Sequence, residues 1–180
     1  MEASLRMPRT TSLRSTASVR DAELAAFYRE HSEDAFRLAY LTCRDHDRAA
    51  DIAAEAMERV VANWETQRPE YPKAYLRRLI VNITIDQGRR RHNFGLRLPK
   101  IVSPTTAVDH IAAVDDRSAL AHALDELAPN ARAAIVLRYW FDQSVDEIAT
   151  TMDVPRGTVG TLLSRSLPVL HKHLDNGESQ

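Results

Sequence analysis

Residues with the types and spacing of a DNA-reading helix stand near the carboxyl end of this 180-residue chain. Positions 144–167 read SVDEIATTMDVPRGTVGTLLSRSL, in which two apolar helical patterns flank a short turn at residues 153–155. That arrangement is typical of a helix-turn-helix, whose second helix can enter a major groove. The side chains predicted to face outward from this helix are short or basic, as contact with base edges and phosphates requires: Arg156, Thr158, Thr161, Ser164 and Arg165.

The same pattern is also compatible with an ordinary corner of two packed helices. Such a corner would bury the same apolar side chains, including Ile148 and Val159, and would bind nothing. The motif by itself therefore leaves both interpretations open.

Helical periodicity surrounds this motif. Apolar residues recur every three or four positions from residue 21 to about residue 43 and again from about residue 47 to residue 64, and a third helical stretch covers residues 74–91. Pro69 and Pro72 predict a loop before the third helix, because proline disrupts a helix interior. Pro129 and the S-x-x-E capping box at Ser144 mark two further helix starts. The β-branched run at residues 80–85 would also suit a strand, but the rhythm of polar and apolar residues there favours a helix. Since no strand pairs with turn signals are present, we expect an all-α fold.

The distribution of residue types and of apolar periodicity along the chain predicts two small helical domains. Residues 1–20 are rich in Ser, Thr and Arg without an apolar period, so we expect a disordered basic tail. The first domain covers residues 21–91, and the second, which carries the helix-turn-helix, covers residues 117–174. Residues 92–116 between them hold two prolines and no period, which predicts a flexible linker. Residues 175–180 form a polar tail.

The formal net charge of −1 conceals a strong partition of charge along the chain. Residues 21–66 carry 11 acidic and 5 basic side chains, whereas residues 67–100 carry 9 basic and 2 acidic ones. One interpretation is a pair of binding surfaces, the acidic one for a basic partner and the basic one for a polyanion. The other is two solvated helix faces that neutralise each other, and charge alone does not decide between them.

Several classes of protein are excluded by what the sequence lacks. The single cysteine, Cys43, excludes a disulfide scaffold and a cysteine-rich zinc site. No apolar run reaches the roughly 18 residues of a membrane span. No nucleophile triad, glycine-rich phosphate loop or metal-ligand spacing is present either. We therefore expect a cytoplasmic protein without membrane insertion, catalytic site, metal site or cofactor, and thus not an enzyme.

Three ordered segments together resemble the extracytoplasmic-function (group IV) sigma factors of bacterial RNA polymerase, within the sigma-70 family. Residues 47–65, DRAADIAAEAMERVVANWE, are similar to region 2.2 of that family, and residues 74–91, AYLRRLIVNITIDQGRRR, to its regions 2.3 and 2.4. Residues 124–167, which include the helix-turn-helix, resemble region 4. The resemblance covers roughly residues 22–174. It implies a subunit that binds core polymerase and directs initiation at promoters with −10 and −35 elements.

The resemblance gives each charged block a role. Acidic residues of the region 2.2 helix would bind the β′ subunit of core polymerase, with the β subunit as a further partner: Asp51, Glu55 and Glu58. The basic block would hold the melted −10 element, with arginines on phosphates and an amide on a base edge: Arg77, Arg78, Asn82, Asp86, Arg89 and Arg90. Region 4 would read the −35 element as duplex DNA through the five residues named above.

Some of these assignments leave alternatives open. Glu58 can be merely solvated, and Asp86 can pair with Arg89 or Arg90 along the helix. The resemblance also implies that an anti-sigma factor can hold such a protein inactive, although nothing in the sequence identifies one.

The second domain departs from the family pattern where it would read the −35 element. The basic pair that usually follows Gly-Thr-Val is replaced by Gly-Thr-Leu at residues 160–162, and Pro155 replaces the usual N-cap serine. The net charge across residues 129–180 is −1, from 5 basic and 6 acidic side chains. Attraction to phosphates is therefore expected to be weak, with most charged contacts made by Arg156 and Arg165.

A stand-alone helix-turn-helix regulator that binds duplex operators is the alternative function. Such a regulator would not need the acidic helix around Asp51 followed by the basic block, so this order of segments favours the sigma-factor interpretation. An interaction-only protein that sequesters a partner also stays open, because the second domain departs from the family pattern.

Overall fold

The structure is a computed structural model that describes residues 11–66, 71–93 and 114–175. Over these ranges the chain forms α-helices and no strand, which confirms the all-α fold expected from the sequence. The helices are α1 (Thr11–Cys43), α2 (His46–Thr66), α3 (Pro72–Asn93), α4 (Val114–Glu126), α5 (Pro129–Tyr139), α6 (Val145–Met152) and α7 (Arg156–Asp175).

Helices α1, α2 and α3 pack against one another and form the α1–α3 unit. Each of them buries an apolar stripe with helical spacing, and fully buried side chains include Leu38 of α1, Ile52 of α2 and Ile80 of α3. Burying a side chain of this size contributes roughly 1.5–3 kcal/mol. These stripes therefore fix which face of α2 and which face of α3 remain on the surface.

The turn between α1 and α2 is set by two adjacent residues. Arg44 adopts a left-handed conformation with φ of 59°, which ends α1. Asp45 follows, and its Oδ1 accepts a hydrogen bond of 3.1 Å from the backbone N–H of Arg48. A carboxylate in this position caps the N-terminus of the next helix.

Helices α4 to α7 form a second unit, the α4–α7 unit, in which α7 packs against the other three helices. Its fully buried side chains include Ile135 of α5, Ile148 of α6 and Val159 of α7. Pro129 occupies the first turn of α5, as predicted. These contacts hold α6 and α7 in the crossed arrangement of a helix-turn-helix.

The capping box predicted at the start of α6 is present. The Ser144 hydroxyl accepts from the backbone N–H of Glu147 at 3.2 Å, and the Ser144 backbone N–H donates to the Glu147 carboxylate at 2.8 Å. The pKa of the Glu147 carboxyl is held below its ordinary value, mainly by the hydrogen bond from the Ser144 backbone N–H and next by the hydrogen bond with the Ser144 side chain. At the other end of α6, Asp153 takes a left-handed conformation with φ of 55°.

The two units pack directly on each other. Helix α3 contacts α5 and α6, and α1 contacts α5. Gly88 of α3 lies at this contact, where an added Cβ would be 2.9 Å from Cγ of Pro129. Only glycine fits this spacing without a shift, because contacts of Cβ atoms below 3.0 Å are not tolerated.

The described helices differ from the predicted boundaries at three places. Helix α1 begins at Thr11, so the predicted disorder of residues 1–20 is wrong from residue 11 onward, and residues 1–10 lie outside the described residues. Ordered helix can propagate at low cost from the packed part of α1, because extension adds one hydrogen bond per residue fixed.

The other two differences concern the predicted loop and linker. Helix α3 already begins at Pro72, which suits a first-turn proline. Of the predicted linker, residues 92–93 belong to α3 and residues 114–116 to α4, while residues 94–113 lie outside the described residues.

Replacing Ser144 by alanine should lower the free energy of unfolding by about 1 kcal/mol, because the N-terminal amide of Glu147 loses its cap. Urea denaturation followed by circular dichroism measures this change. The control is Thr150→Ala in the same helix, since the Thr150 hydroxyl only donates to the carbonyl of Asp146 within the helix. Equal effects of the two substitutions would contradict the capping account.

Candidate nucleic-acid interface

Helix α2 presents an acidic face on the side opposite to its buried stripe. Asp51, Glu55 and Glu58 lie at positions i, i+4 and i+7, which places them on one face of a helix. Asp51 and Glu58 are exposed, and Glu55 forms an ion pair of 2.6 Å with Arg59 one turn further on. The structure therefore brings all three predicted carboxylates together on one exposed surface.

An apolar groove runs beside this acidic face, between α1 and α2. It has a volume of about 410 Å³ and is lined by Tyr28, Met57 and Val61 together with Glu58. The Tyr28 side chain is 52% exposed, which is unusual for a large aromatic residue of a packed helix. Glu58 thus lies between the acidic face of α2 and the apolar groove.

Helix α3 presents a polar face opposite to the side that packs on α1 and α2. Arg78, Asn82, Asp86 and Arg89 follow one another three or four residues apart, so they share this face. Arg78, Asp86 and Arg89 are exposed and Asn82 is half-buried. Two guanidinium groups, one carboxylate and one amide are therefore presented together by a rigid element.

Two of the predicted α3 residues lie beside this face. The Arg77 guanidinium carbon lies 5.3 Å from the centre of the Phe141 ring, a cation–π contact. Arg90 is exposed near the end of α3. Asp86 forms no ion pair with the described basic residues, including Arg89 and Arg90, so pairing along the helix does not occupy its carboxylate.

Helix α7 exposes all five side chains that the sequence predicts to face outward, which are Arg156, Thr158, Thr161, Ser164 and Arg165. Val159 is fully buried on the opposite side and anchors the helix. The hydroxyls of Thr161 and Ser164 donate to backbone carbonyls of the same helix at 2.9 and 3.1 Å. Their oxygen atoms remain able to accept hydrogen bonds from base amino groups.

The start of α7 lacks a side-chain cap, because the side chain of Pro155 carries no hydrogen-bonding group. Its carbonyl accepts from the backbone N–H of Thr158 at 2.9 Å, which starts the helix. Arg156, in the first turn, forms an exposed ion pair of 3.5 Å with Asp146 of α6. Since exposed pairs contribute at most about 1 kcal/mol, Arg156 can exchange this partner for a phosphate.

Trp64, Tyr75 and Cys43 contribute to the packing of the α1–α3 unit. Trp64 is buried, and the Tyr75 hydroxyl accepts a hydrogen bond of 2.6 Å from Asn63. Cys43 is buried too, and burial raises the pKa of its thiol, which disfavours the reactive thiolate.

In the described part of the chain, no three or more His, Cys, Asp or Glu side chains are grouped to hold a metal ion. Among the same residues, no helix combines the length and apolar character of a membrane span.

Comparisons with known proteins assign both units to one family. Residues 27–94 match the family model Sigma-70 region 2, and residues 117–167 match the model Sigma-70, region 4. The RNA polymerase sigma-E factor of Streptomyces coelicolor is 30% identical over 156 residues, covering 84% of this chain and 86% of that protein. The chain belongs to the sigma-70 family of RNA polymerase sigma factors.

Further relatives place this sigma factor in the extracytoplasmic-function group. The ECF RNA polymerase sigma factor SigE of Mycolicibacterium smegmatis is 32% identical over 159 residues, covering 84% of this chain and 62% of that protein. Among solved structures, the sigma factor RpoE in complex with the anti-sigma factor NepR from Bartonella quintana matches with a TM-score of 0.68. It is 19% identical and covers 85% of this chain and 97% of that chain, which shows the same fold.

The residues that join the two units of this sigma factor were not predicted from the sequence. Arg132 of α5 donates to the carbonyl of Thr42 in α1 at 3.2 Å, and Arg44 lies 3.4 Å from the carboxylate of Asp125 in α4. No local pattern reveals such partners, which are more than 80 positions apart. An isolated glycine within a helical pattern, Gly88, was the one signal of a close approach.

Proposed function

We propose that this chain is the dissociable specificity subunit of RNA polymerase, with one surface for the enzyme and two for promoter DNA. The observation that carries the proposal is the separation of three polar surfaces on different helices: the acidic face of α2, the polar face of α3 and the outward side of α7. Each lies opposite a buried stripe, so each can be used without unfolding the core. A stand-alone regulator would have no use for the first two.

The α2 face is the proposed site for core polymerase. Its carboxylates at Asp51, Glu55 and Glu58 would bind a basic surface of the β′ subunit, and the apolar groove beside them adds area that a protein partner can bury. Charges at the rim of such an interface increase the association rate and give specificity.

Replacing Asp51 and Glu55 by arginine should abolish binding to core polymerase in a native-gel titration without DNA, because like charges then face each other. The matched control is Glu30→Arg with Glu33→Arg, two exposed acids of α1 that change the net charge equally. Equal binding by both double variants would contradict the assignment of the α2 face.

The α3 face is the proposed site for the melted −10 element. Its guanidinium groups suit phosphates, which position a strand, while the Asn82 amide offers one donor and one acceptor to a base edge. Because the arginines would contact phosphates and Asn82 a base edge, substitutions of the two residue types should affect DNA binding in different ways.

Asn82→Ala should weaken binding of the holoenzyme to a forked −10 template by roughly 1–3 kcal/mol and reduce discrimination against a changed −10 sequence. Arg89→Ala should instead weaken binding to all sequences alike and lower the salt dependence by about one ion. Fluorescence anisotropy at several salt concentrations separates the two. The assignment fails if Arg89→Ala changes sequence preference and Asn82→Ala does not.

The outward side of α7 is the proposed site for duplex −35 DNA. Gly160 lies on this exposed side, and an added Cβ there meets no atom within 4 Å. A longer side chain at this position therefore fits without distorting the unit.

Gly160→Lys should strengthen duplex binding at all sequences, because it adds a cation beside the phosphates. Gly160→Ala is the control, since it gives nearly the same gain in helix stability without the charge. A titration of upstream duplex DNA measures both. Equal affinities of the two variants would show that this side of α7 does not face DNA.

The proposed function also fixes the place and chemistry of the reaction. Nucleotide addition would belong to the polymerase, and the chain would contribute binding and strand separation only. Because the polymerase acts on chromosomal DNA, we propose a cytoplasmic location. An anti-sigma factor that covers the α2 face or the α3 face would be an additional partner.

A further inference from the structure

Small residues form the centre of the outward side of α7. Because successive residues of an α-helix are about 100° apart around its axis, Gly157, Thr161 and Ser164 fall within about 60° of one another. This central sector lies opposite the fully buried Val159, and all three residues are exposed. An added Cβ at Gly157 meets no atom within 4 Å, so the protein leaves the space in front of it open. The backbone of α7 can therefore approach another molecule closely along this sector.

Two arginines stand at the edges of the central sector. Arg156 and Arg165 are both exposed and nine residues apart, which places them about 180° apart around the helix axis and about 13.5 Å apart along it. The major groove of B-DNA is about 12 Å wide. A helix that turns its central sector toward the bases therefore brings one arginine toward each phosphate backbone. Contacts of this kind position a helix without reading sequence, so the reading of bases is left to the central sector.

Both hydroxyls of the central sector use their hydrogens within the helix. The Thr161 hydroxyl donates to the carbonyl of Gly157 at 2.9 Å, and the Ser164 hydroxyl donates to the carbonyl of Thr161 at 3.1 Å. A hydroxyl has one hydrogen and two acceptor lone pairs. Each oxygen therefore presents only acceptor capacity to the outside as long as its bond within the helix persists.

The bases differ in what they offer to an acceptor in the major groove. Adenine and cytosine present amino groups that donate, whereas thymine and guanine present carbonyl oxygens that accept. Thr161 and Ser164 are three residues apart, which is about 4.5 Å along the helix. This spacing is comparable to the rise of about 3.4 Å between neighbouring bases of one strand. The two oxygens therefore suit two neighbouring amino bases.

We propose that Thr161 and Ser164 determine the specificity of the −35 contact by selecting two neighbouring amino bases, adenine or cytosine, on one DNA strand. The inference rests on the proposed function of α7. Thymine or guanine at these positions would make each hydroxyl give up its bond within the helix, or would leave two acceptors facing each other. The preference for amino bases should be roughly 2- to 10-fold at each position, the net effect of one hydrogen bond.

Selection of duplexes from a random library by the full chain, at low salt, tests this preference. We expect two adjacent positions at which adenine and cytosine are both accepted on the same strand. Thr161→Val and Ser164→Ala should each remove the preference at one of these positions, as measured by fluorescence anisotropy. Thr150→Val is the matched control, because this exposed threonine of α6 makes the same kind of bond within its helix, to the carbonyl of Asp146. It should keep the preference of the parent chain.

Base analogues separate a contact with the amino group from a structural role. Purine in place of adenine, or pyrimidin-2-one in place of cytosine, removes only the exocyclic amino group. The parent chain should lose roughly 2- to 10-fold in affinity at each position, whereas Thr161→Val should lose less at one of them. Thr161→Ser keeps the acceptor and should behave like the parent. The analogue weakens base pairing equally for every variant, so a double-mutant cycle cancels that effect.

A pair of glycine substitutions tests the close approach. Gly157→Ala adds a methyl group in the central sector, whereas Gly160→Ala adds one about 60° away, on the edge near Arg156. Neither added Cβ meets an atom of the protein within 4 Å, so both variants should fold. Gly157→Ala should weaken duplex binding several-fold more than Gly160→Ala does. Equal affinities of the two variants would contradict the close approach on which reading by short side chains depends.

The outcomes distinguish this inference from the proposed function of α7. Equal acceptance of all four bases, or a preference that Thr161→Val and Ser164→Ala leave unchanged, would overturn the selection of amino bases. The double variant Arg156→Ala with Arg165→Ala should weaken binding to all sequences alike. If this double variant binds like the parent, or if the parent retains no duplex at low salt, the proposed function of α7 fails as well.

Discussion

Helix α3 buries one face against α1 and α2, while its opposite face carries charged and polar side chains. The packing of the remaining structure depends on this arrangement. Ile80 and Val81 are fully buried against α1 and α2, which fixes the rotation of the helix about its axis. The face that points away then carries Arg78, Asn82 and Arg89. Because these groups cannot be buried without partners, they must meet water, nucleic acid or another polar surface. The structure supplies such a surface in the α4–α7 unit.

The contacts between the units are of a kind that can be exchanged. The Arg78–Asp153 pair is 45% and 78% exposed, so it contributes little stability by itself. Arg132 is more deeply placed, but most of its hydrogen bonds lie within the α4–α7 unit. Each unit buries apolar side chains of its own, such as Ile52 and Ile80 in one and Ile135 and Val159 in the other. The buried residues of both units nevertheless form one continuous apolar cluster, so the contact between the units is apolar as well as polar.

The sequence predicted most of the individual helices, because their signals are local: the Ser144 capping box, Pro129 and the apolar spacing of α2 and α7. It also predicted which side chains of α7 face outward, since Val159 fixes the rotation of that helix. The start of α1 was missed because residues 11–20 show no apolar period. The packing of the two units was beyond reach, because Arg132 meets Thr42 only through tertiary structure. Roles on α2 and α3 came from the family resemblance and stay predictions.

The central claim is that this chain gives core polymerase a promoter specificity of its own. Transcription in vitro on fragmented genomic DNA of the source organism, with core polymerase plus or minus the chain and sequencing of RNA 5′ ends, tests it most directly. We predict start sites that appear only with the chain and share one sequence element near −10 and another near −35. Identical start sites with and without the chain, at a concentration that saturates core polymerase, would contradict the account.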